Sequence, residues 1–217
     1  MILKVFRNLA AALCCVLAQA AGAKNAKDSA DEALLTAYDA YRAGDPLKFT
    51  RASRNLEGHV LEPWLDYWRL SMRLEDTENR EVREFFATHP NQYVAERMRS
   101  DWLRVLGKRG EWPEFERQVA RYNREDLEVS CYRWLSRLEQ GDDTALDEAT
   151  AMWLEPAELP EGCQRLSSLL WMRGRLSVTD VWRRVRVLFE QGQTSAAKSM
   201  LALLPKKTRG ATVTVSA

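Results

Sequence analysis

Glycines that are followed at once by a polar residue divide this chain into segments of nearly equal length. Gly44, Gly110, Gly141 and Gly174 each close a stretch with helical spacing of apolar residues, and another such stretch follows directly. They are 66, 31 and 33 residues apart, and a polar break at residues 75–79 halves the longest interval. A glycine just past a helix C-terminus is typical of a turn between antiparallel helices. The sequence therefore predicts helix pairs that repeat about every 33 residues.

Apolar residues within the segments recur at intervals of three and four, as expected for amphipathic helices. Trp68, Trp102 and Trp134 keep nearly the same repeat, with spacings of 34 and 32. Period-two alternation is confined to residues 212–215, a stretch too short and isolated for a sheet. We predict an all-α fold, a right-handed superhelix or solenoid of antiparallel helix pairs with a tetratricopeptide-like period. A helical bundle with coincidental spacing is the alternative.

The N-terminus has the pattern of a secretory signal peptide. Lys4 and Arg7 precede an apolar stretch over residues 9–18, and small residues suitable for cleavage follow at Ala20 and Ala23. The apolar stretch is shorter than the roughly 20 residues that span a bilayer, so we expect no stable membrane insertion. An uncleaved anchor helix and a lipoprotein signal are the alternatives. Residues 1–23 are thus predicted to direct export of the chain.

Charge and composition exclude several classes of protein. The chain has 32 Lys and Arg against 31 Asp and Glu, and 46% of its residues are hydrophobic. A nearly neutral chain has no electrostatic basis for general nucleic-acid binding. The hydrophobic fraction is sufficient for a core, which excludes wholesale disorder.

Two of the four cysteines lie within the predicted signal peptide, which leaves Cys131 and Cys163 in the exported chain. Two cysteines in an oxidising compartment indicate one disulfide, with two independent buried thiols as the alternative. Neither cysteine forms a short metal-ligand spacing with the other or with His59 or His89. We therefore predict no metal site and no cofactor.

A search for catalytic motifs identifies no candidate residue. The chain lacks a nucleophile elbow, a phosphate-binding loop and a zinc-protease motif. His59 and His89 fit capping or loop positions, and the eight tryptophans fit core positions better than sugar-stacking platforms. Carboxylates share helix faces with arginines, for example in residues 81–84 and 114–117, which is typical of solvated, ion-paired surfaces.

The strongest local charge asymmetry is a basic run towards the C-terminus. Between Arg165 and Arg186, Asp180 is the only acidic residue. Five arginines form a candidate patch for an anionic ligand, including the peptide carboxylates of a cell wall: Arg173, Arg175, Arg183, Arg184 and Arg186. The alternative is a solvated helix surface or pairing with acids elsewhere in the fold.

Several short motifs, in order and spacing, resemble periplasmic soluble lytic murein transglycosylases. The first is residues 59–70, HVLEPWLDYWRL, a string similar to one in the early helices of that family. The likeness continues over roughly residues 30–205 through these further pieces: Phe85, Phe86, His89 and Pro90; Met98, Arg99, Trp102 and Leu103; Arg109, Gly110, Trp112 and Phe115; Cys131 and Tyr132; Met152, Trp153 and Leu154; Pro160 and Cys163; Leu176 and Ser177; Trp182 and Arg184.

The resemblance implies a ring-like α-superhelix that precedes a lysozyme-like catalytic domain. In that family the catalytic domain cleaves the glycan strand of peptidoglycan without water, with one glutamate as acid and then base, and leaves a 1,6-anhydro product. The resemblance also implies a disulfide at Cys131 and Cys163. The family's Glu-Ser dipeptide and Ala-Tyr-Asn-Ala-Gly motif do not occur in this chain.

We therefore expect a signal peptide at 1–23, an α-superhelical domain at 24–205 and an unstructured tail at 206–217, where the sequence leaves the family pattern abruptly. The expected function is the non-catalytic, superhelical part of a lytic transglycosylase, truncated or frame-shifted before the catalytic domain, with no activity alone. Its expected partners are peptidoglycan, a lysozyme-like catalytic domain or another wall enzyme. A free-standing periplasmic interaction module of tetratricopeptide type is the alternative.

Overall fold

The structure is a computed structural model that describes residues 29–154 and 159–206. The predicted signal peptide and nearly all of the predicted tail lie outside these residues. Every extended regular element in the described ranges is a helix. The helices are α1 (29–42), α2 (Pro46–Ser53), α3 (Glu62–Ser71), α4 (Asn79–Thr88), α5 (Tyr93–Arg109), α6 (Trp112–Val119), α7 (Leu127–Glu139), α8 (Thr144–Leu154), α9 (Glu161–Met172), α10 (Val178–Glu190) and α11 (Thr194–Leu201).

Of the six described glycines that have a positive φ angle in a turn between helices, five share one hydrogen-bond pattern and Gly58, with φ of 73°, does not. The predicted glycines Gly44, Gly110, Gly141 and Gly174 have φ values of 65°, 71°, 84° and 68°, and Gly192 has 75°. After each of them, the next amide donates to a carbonyl five residues back, as in the bond of 2.9 Å from the Asp45 amide to the Ala40 oxygen. This is the Schellman motif, whose left-handed position favours glycine. The predicted helix ends are therefore confirmed.

The chain divides into two compact units between Met98 and Arg99, inside α5. We call the described residues up to Met98 the N-terminal unit and those from Arg99 onward the C-terminal unit.

In the N-terminal unit, apolar faces of α1, α2 and α3 meet in one core. Its fully buried members are Ala37, Ala40, Phe49, Leu56 and Leu65. Helix α2 begins where its sequence favours a start, because Asp45 accepts a hydrogen bond from the Lys48 amide at 2.8 Å and Pro46 occupies the first turn. The predicted break near residue 77 is a short 3-10 helix, Leu74–Asp76, before α4.

In the C-terminal unit, neighbouring helices pack as short-looped pairs. Helix α7 packs on α8 and α9, and α10 packs on α11. Helix α10 begins with a capping box, in which the Ser177 hydroxyl accepts from the Asp180 amide and the Asp180 carboxylate accepts from the Ser177 amide. The last predicted helix, residues 194–204, ends at Leu201, although Leu204 is buried as its pattern predicts.

Candidate functional site

A disulfide joins Cys131 on α7 to Cys163 on α9. The Sγ atoms are 1.95 Å apart, the Cα atoms are 5.1 Å apart, and both side chains are fully buried. The disulfide predicted from the sequence is therefore confirmed, and the alternative of two independent thiols is wrong.

Tyr132, next to the disulfide, packs against two glycines where a side chain would not fit. A Cβ atom placed on Gly107 of α5 would lie 2.2 Å from the Tyr132 Cγ, and one on Gly162 of α9 would lie 2.6 Å from its Cε2. The Gly162 amide also donates to Glu128 Oε1 at 3.0 Å. The close approach of α5, α7 and α9 thus depends on both glycines.

An arginine on α5 connects the same three helices through carboxylates. Arg104 contacts Asp101 at 3.0 Å, Asp126 at 2.5 Å and Glu128 at 3.2 Å. Tyr122 donates a hydrogen bond to Ser100 Oγ at 3.1 Å beside Asp126. These contacts hold α5 to the start of α7, the helix that carries Cys131.

One of the five predicted patch arginines, Arg184, lies in the core and not on the surface. Arg184 is 5% exposed, its guanidinium donates to the Trp153 main-chain oxygen, and its Cζ lies 5.0 Å from the centre of the Trp153 ring. It also lines a small cavity of about 140 Å³ beside Leu188 and Met200. Burial lowers the pKa of the Arg184 guanidinium to about 10. Arg184 is therefore a buried, structural residue and not part of an exposed patch.

Two other predicted patch arginines lie beside acids. Arg175 pairs with Asp147 at 2.8 Å, and Arg183 lies 3.8 Å from Asp180. Arg165, at the start of the same run, lies 3.4 Å from Glu139. The Arg175–Asp147 and Arg165–Glu139 pairs fit the alternative interpretation, in which the run pairs with acids elsewhere in the fold.

Arg173, Arg175, Arg183 and Arg186 are exposed, so for these four arginines an anionic ligand stays a prediction.

Both histidines of the chain lie at the junctions predicted for them. The His59 Nδ1 accepts a hydrogen bond from the Leu61 amide at 3.1 Å, just before α3. His89 follows the last residue of α4, is 6% exposed, and places its Nε2 3.1 Å from Asp66 Oδ2. The His59 Nε2 also lies 3.6 Å from Asp31 of α1, so each histidine joins one segment of the N-terminal unit to another.

The aromatic residues of the N-terminal unit pack ring against ring. The ring centres of Tyr38 and Trp68 are 5.2 Å apart, those of Tyr41 and Trp68 are 5.7 Å apart, and those of Trp64 and Tyr67 are 5.6 Å apart. Trp64 and Trp68 are half-buried. Their contacts join α1 to α3, which fits the predicted role in packing.

One carboxylate differs from the predicted solvated surface of residues 114–117. Glu114 is 4% exposed, accepts from Arg117 at 2.5 Å and accepts from Gln118 Nε2 at 2.9 Å. The expected ion pair is therefore present, but its carboxylate is buried.

A cleft in the N-terminal unit contains two arginines that the sequence pattern did not single out. It has a volume of about 420 Å³ and lies between the first turns of α2 and the C-terminal end of α3. Its lining comprises Gly44, Pro46, Phe49, Thr50, Arg69, Met72 and Arg73. Arg69 and Arg73 are four residues apart, but their proximity to α2 depends on tertiary packing that one helix pattern does not contain.

In residues 29–154 and 159–206, no three His, Cys, Asp or Glu side chains are arranged to hold a metal ion. Among the helices of the same ranges, none has the length and apolar content required to cross a membrane.

Helix pairs, Schellman turns and a buried disulfide define an all-α protein. No protein-family model matches this sequence, and no curated protein matches it. Among solved structures, the chain is similar to an inactive mutant of the lytic transglycosylase Slt from Pseudomonas aeruginosa, with 26% identity, a TM-score of 0.57 and 80% of this chain covered. It is also similar to the 70-kDa soluble lytic transglycosylase from Escherichia coli, with 18% identity, a TM-score of 0.57 and 83% of this chain covered. A complex of the 70-kDa soluble lytic transglycosylase with bulgecin A matches equally well.

The structural neighbours of this chain are thus soluble lytic transglycosylases, as the sequence motifs indicated, and the predicted all-α fold class is confirmed. The chain spans 28% of the length of the Pseudomonas enzyme and 29% of that of the Escherichia coli enzyme.

Proposed function

We propose that this chain is the non-catalytic, superhelical part of a periplasmic soluble lytic transglycosylase that acts in peptidoglycan cleavage and turnover. Its role is to position a lysozyme-like catalytic domain on the murein. The observation that carries the proposal is the structural similarity to a lytic transglycosylase at 26% identity over 80% of this chain.

The motifs add independent support. The disulfide lies at Cys131 and Cys163, the two positions implied by the resemblance. A disulfide forms and persists in an oxidising compartment such as the bacterial periplasm, which agrees with an N-terminal export signal.

The residues of this chain favour a positioning role over catalysis. A glycosidic general acid needs a carboxyl group whose surroundings favour the protonated form. Glu114, the buried carboxylate described above, is instead held by the guanidinium of Arg117 and the side-chain amide of Gln118, as in a structural ion pair. We therefore expect the chain to bind and orient rather than to cleave.

Two measurements test this function. First, the full chain is incubated with purified murein sacculi, and we expect it to sediment with them without releasing 1,6-anhydro-muropeptides. Second, the chain is immobilised and exposed to the isolated catalytic domain of the 70-kDa enzyme, with hen lysozyme as control. Retention of the catalytic domain but not of lysozyme supports the positioning role. A chain that binds neither the sacculi nor the catalytic domain would overturn that role. Release of anhydro products would overturn the non-catalytic assignment.

The regular helix pairs with Schellman turns favour one second candidate, a free-standing tetratricopeptide-like module that recruits a wall enzyme. The gene sequence distinguishes the two. A reading frame that continues past codon 206 into Glu-Ser and Ala-Tyr-Asn-Ala-Gly motifs supports the transglycosylase part, and an intergenic region supports the module.

A further inference from the structure

The cleft between α2 and α3 combines an apolar floor with a cationic rim. Phe49 is fully buried beneath it, and Met72 contributes a second apolar side chain. Arg69 and Arg73 provide guanidinium groups and Thr50 provides a hydroxyl, while no carboxylate belongs to the lining. A volume of about 420 Å³ falls within the range of small-ligand pockets, about 300 to 1,000 Å³. The lining therefore suits a small ligand with one anionic and one aliphatic part.

Acids beside the cleft hold both guanidiniums in place. Asp66 Oδ1 accepts from Arg69 at 2.7 Å, and Glu81 accepts from both terminal nitrogens of Arg73, at 3.3 and 2.5 Å. The hydrogen bond from Arg73 also holds the pKa of the Glu81 carboxyl below its usual value. A guanidinium has five N–H donors, so each arginine retains donors beyond those given to Asp66 or Glu81. Held arginines lose less conformational freedom when they bind an anion.

Helix α2 contains Lys48 and Arg51 and no acidic residue, although Asp45 caps its start. Both charged side chains of the cleft lining itself, Arg69 and Arg73, are cationic, and cations in a cleft raise the local concentration of anions. Charge complementarity thus points to an anion, and a planar guanidinium matches a carboxylate in particular.

We propose that this cleft binds the free carboxylate of a short peptide with small aliphatic side chains, namely the stem peptides of peptidoglycan. Arg69 and Arg73 bind the carboxylate, and Phe49 and Met72 contact the aliphatic part. The assignment of the peptide to the wall rests on the proposed function. The site directs the scaffold to the peptides rather than to the glycan strand, whose sugar hydroxyls do not need two cations.

The test is calorimetric titration of the full, disulfide-bonded chain with a tetrapeptide released from murein. The same peptide with amidated carboxyl groups is the ligand control. We expect saturable binding of the free acid, at least tenfold weaker binding of the amide, and weaker binding at high salt because exposed charges are screened. Equal affinity for acid and amide would overturn the proposal.

Two variants locate the binding. Arg69→Gln combined with Arg73→Gln removes the rim cations, and we expect at least a tenfold loss of affinity. Arg80→Gln combined with Arg83→Gln, at two exposed arginines of α4 outside the cleft, removes the same charge and should bind like the parent chain.

Thr50→Trp fills the cleft without a change in charge, and binding should be lost. Its matched control is Thr88→Trp, because Thr50 and Thr88 are both exposed helical residues whose hydroxyls donate to the carbonyl four residues back. Circular dichroism confirms that each variant folds. Undiminished binding by the folded Thr50→Trp variant would overturn the proposal.

Sedimentation with intact sacculi and with peptide-free glycan strands separates this inference from the function on which it rests. Loss of sacculus binding in Thr50→Trp but not in Thr88→Trp supports the cleft. Sacculus binding that all variants retain, or binding to glycan strands alone, overturns the cleft assignment and leaves the proposed function intact. Absence of binding to sacculi and to the catalytic domain overturns the proposed function itself.

Discussion

The two units of this protein are stabilised in different ways. In the N-terminal unit, α1 and α3 meet through a cluster of partly exposed tyrosines and tryptophans, whose ring centres are 5.2 to 6.5 Å apart. In the C-terminal unit, α7 and α9 are joined by the Cys131–Cys163 disulfide, and Tyr132 lies against two glycines.

The comparison shows two ways to stabilise helix pairs. Aromatic rings bury large areas in several acceptable geometries, so a similar ring can replace one that is lost. A disulfide and a glycine contact allow one geometry only. We therefore expect the C-terminal unit to be the more sensitive of the two to small substitutions.

The largest expected effect comes from removal of the disulfide. Cys131→Ser with Cys163→Ser opens a loop of 32 residues, and chain entropy predicts a loss of about 4 kcal/mol in the free energy of unfolding. Urea unfolding gives this loss, and hydrogen exchange monitored by mass spectrometry locates it. If the loss of the disulfide accelerates hydrogen exchange in α7 and α9 no more than in α1 and α3, the proposed difference between the two units is contradicted.

A single added methyl group at Gly107 is the next test. Gly107→Ala forces the Tyr132 ring to move, and overpacking of this kind costs about 3 kcal/mol. Gly174→Ala is the control, because a Cβ atom placed on Gly174 would have no neighbouring atom within 4 Å and only its positive φ adds cost, about 1 kcal/mol. In a Gly107→Ala and Tyr132→Ala double variant, thermal unfolding should show strongly non-additive effects. Additive effects would contradict the close-contact explanation.

The aromatic cluster of the N-terminal unit should tolerate more. Trp68→Ala removes a half-buried ring that contacts Tyr38 and Tyr41, and we expect a loss of about 2 kcal/mol. Trp68→Phe keeps a ring and should cost less than about 1.5 kcal/mol. If urea unfolding shows the same loss of stability for both variants, the N-terminal unit is as sensitive to small substitutions as the C-terminal unit.

The smallest expected effect is at the capping box of α10. Ser177→Ala removes the hydroxyl that bonds the Asp180 amide and carboxylate, with a cost of about 1 kcal/mol. That hydroxyl is also the main cause of the lowered pKa of Asp180.

Because the pKa of Asp180 is lower in the folded than in the unfolded chain, its ionisation stabilises the fold at pH values above the unfolded pKa, which is near 4. This stabilisation disappears as the pH falls through the folded pKa. Stability differences between parent and Ser177→Ala, measured by thermal melts from pH 7 to pH 2, should therefore shrink at the acidic end. A difference that grows on acidification would contradict this assignment.

Local sequence signals predicted the helix ends well because their cause is local. A Schellman turn needs one glycine at one position, and the sequence contains that glycine. The disulfide was equally accessible, since residues outside the predicted signal peptide include only two cysteines.

Arg184 shows where a linear charge pattern is insufficient. The arginine run suggested one exposed surface, but Arg184 lies on the same helix face as Val181, Val185 and Leu188, which are all buried. The spacing of three and four residues was the available signal, and it indicates burial in spite of the charge.

The cleft between α2 and α3, unlike the helix ends and Arg184, is not indicated by any local sequence pattern. Arg69 and Arg73 belong to α3 and its C-terminal end, and Phe49 and Thr50 belong to α2. Their proximity follows from the packing of two helices, which a pattern within either helix does not specify.

The burial of the disulfide also has a kinetic consequence. Both sulfur-bearing side chains have no exposed surface, so a reductant reaches the bond only when the surrounding helices open. When reclosing is fast, the rate of reduction in the native state then follows the equilibrium between closed and open forms. The rate at which a reductant releases the thiols of Cys131 and Cys163 therefore reports how often α7 and α9 open, and alkylation of the thiols at successive times measures it.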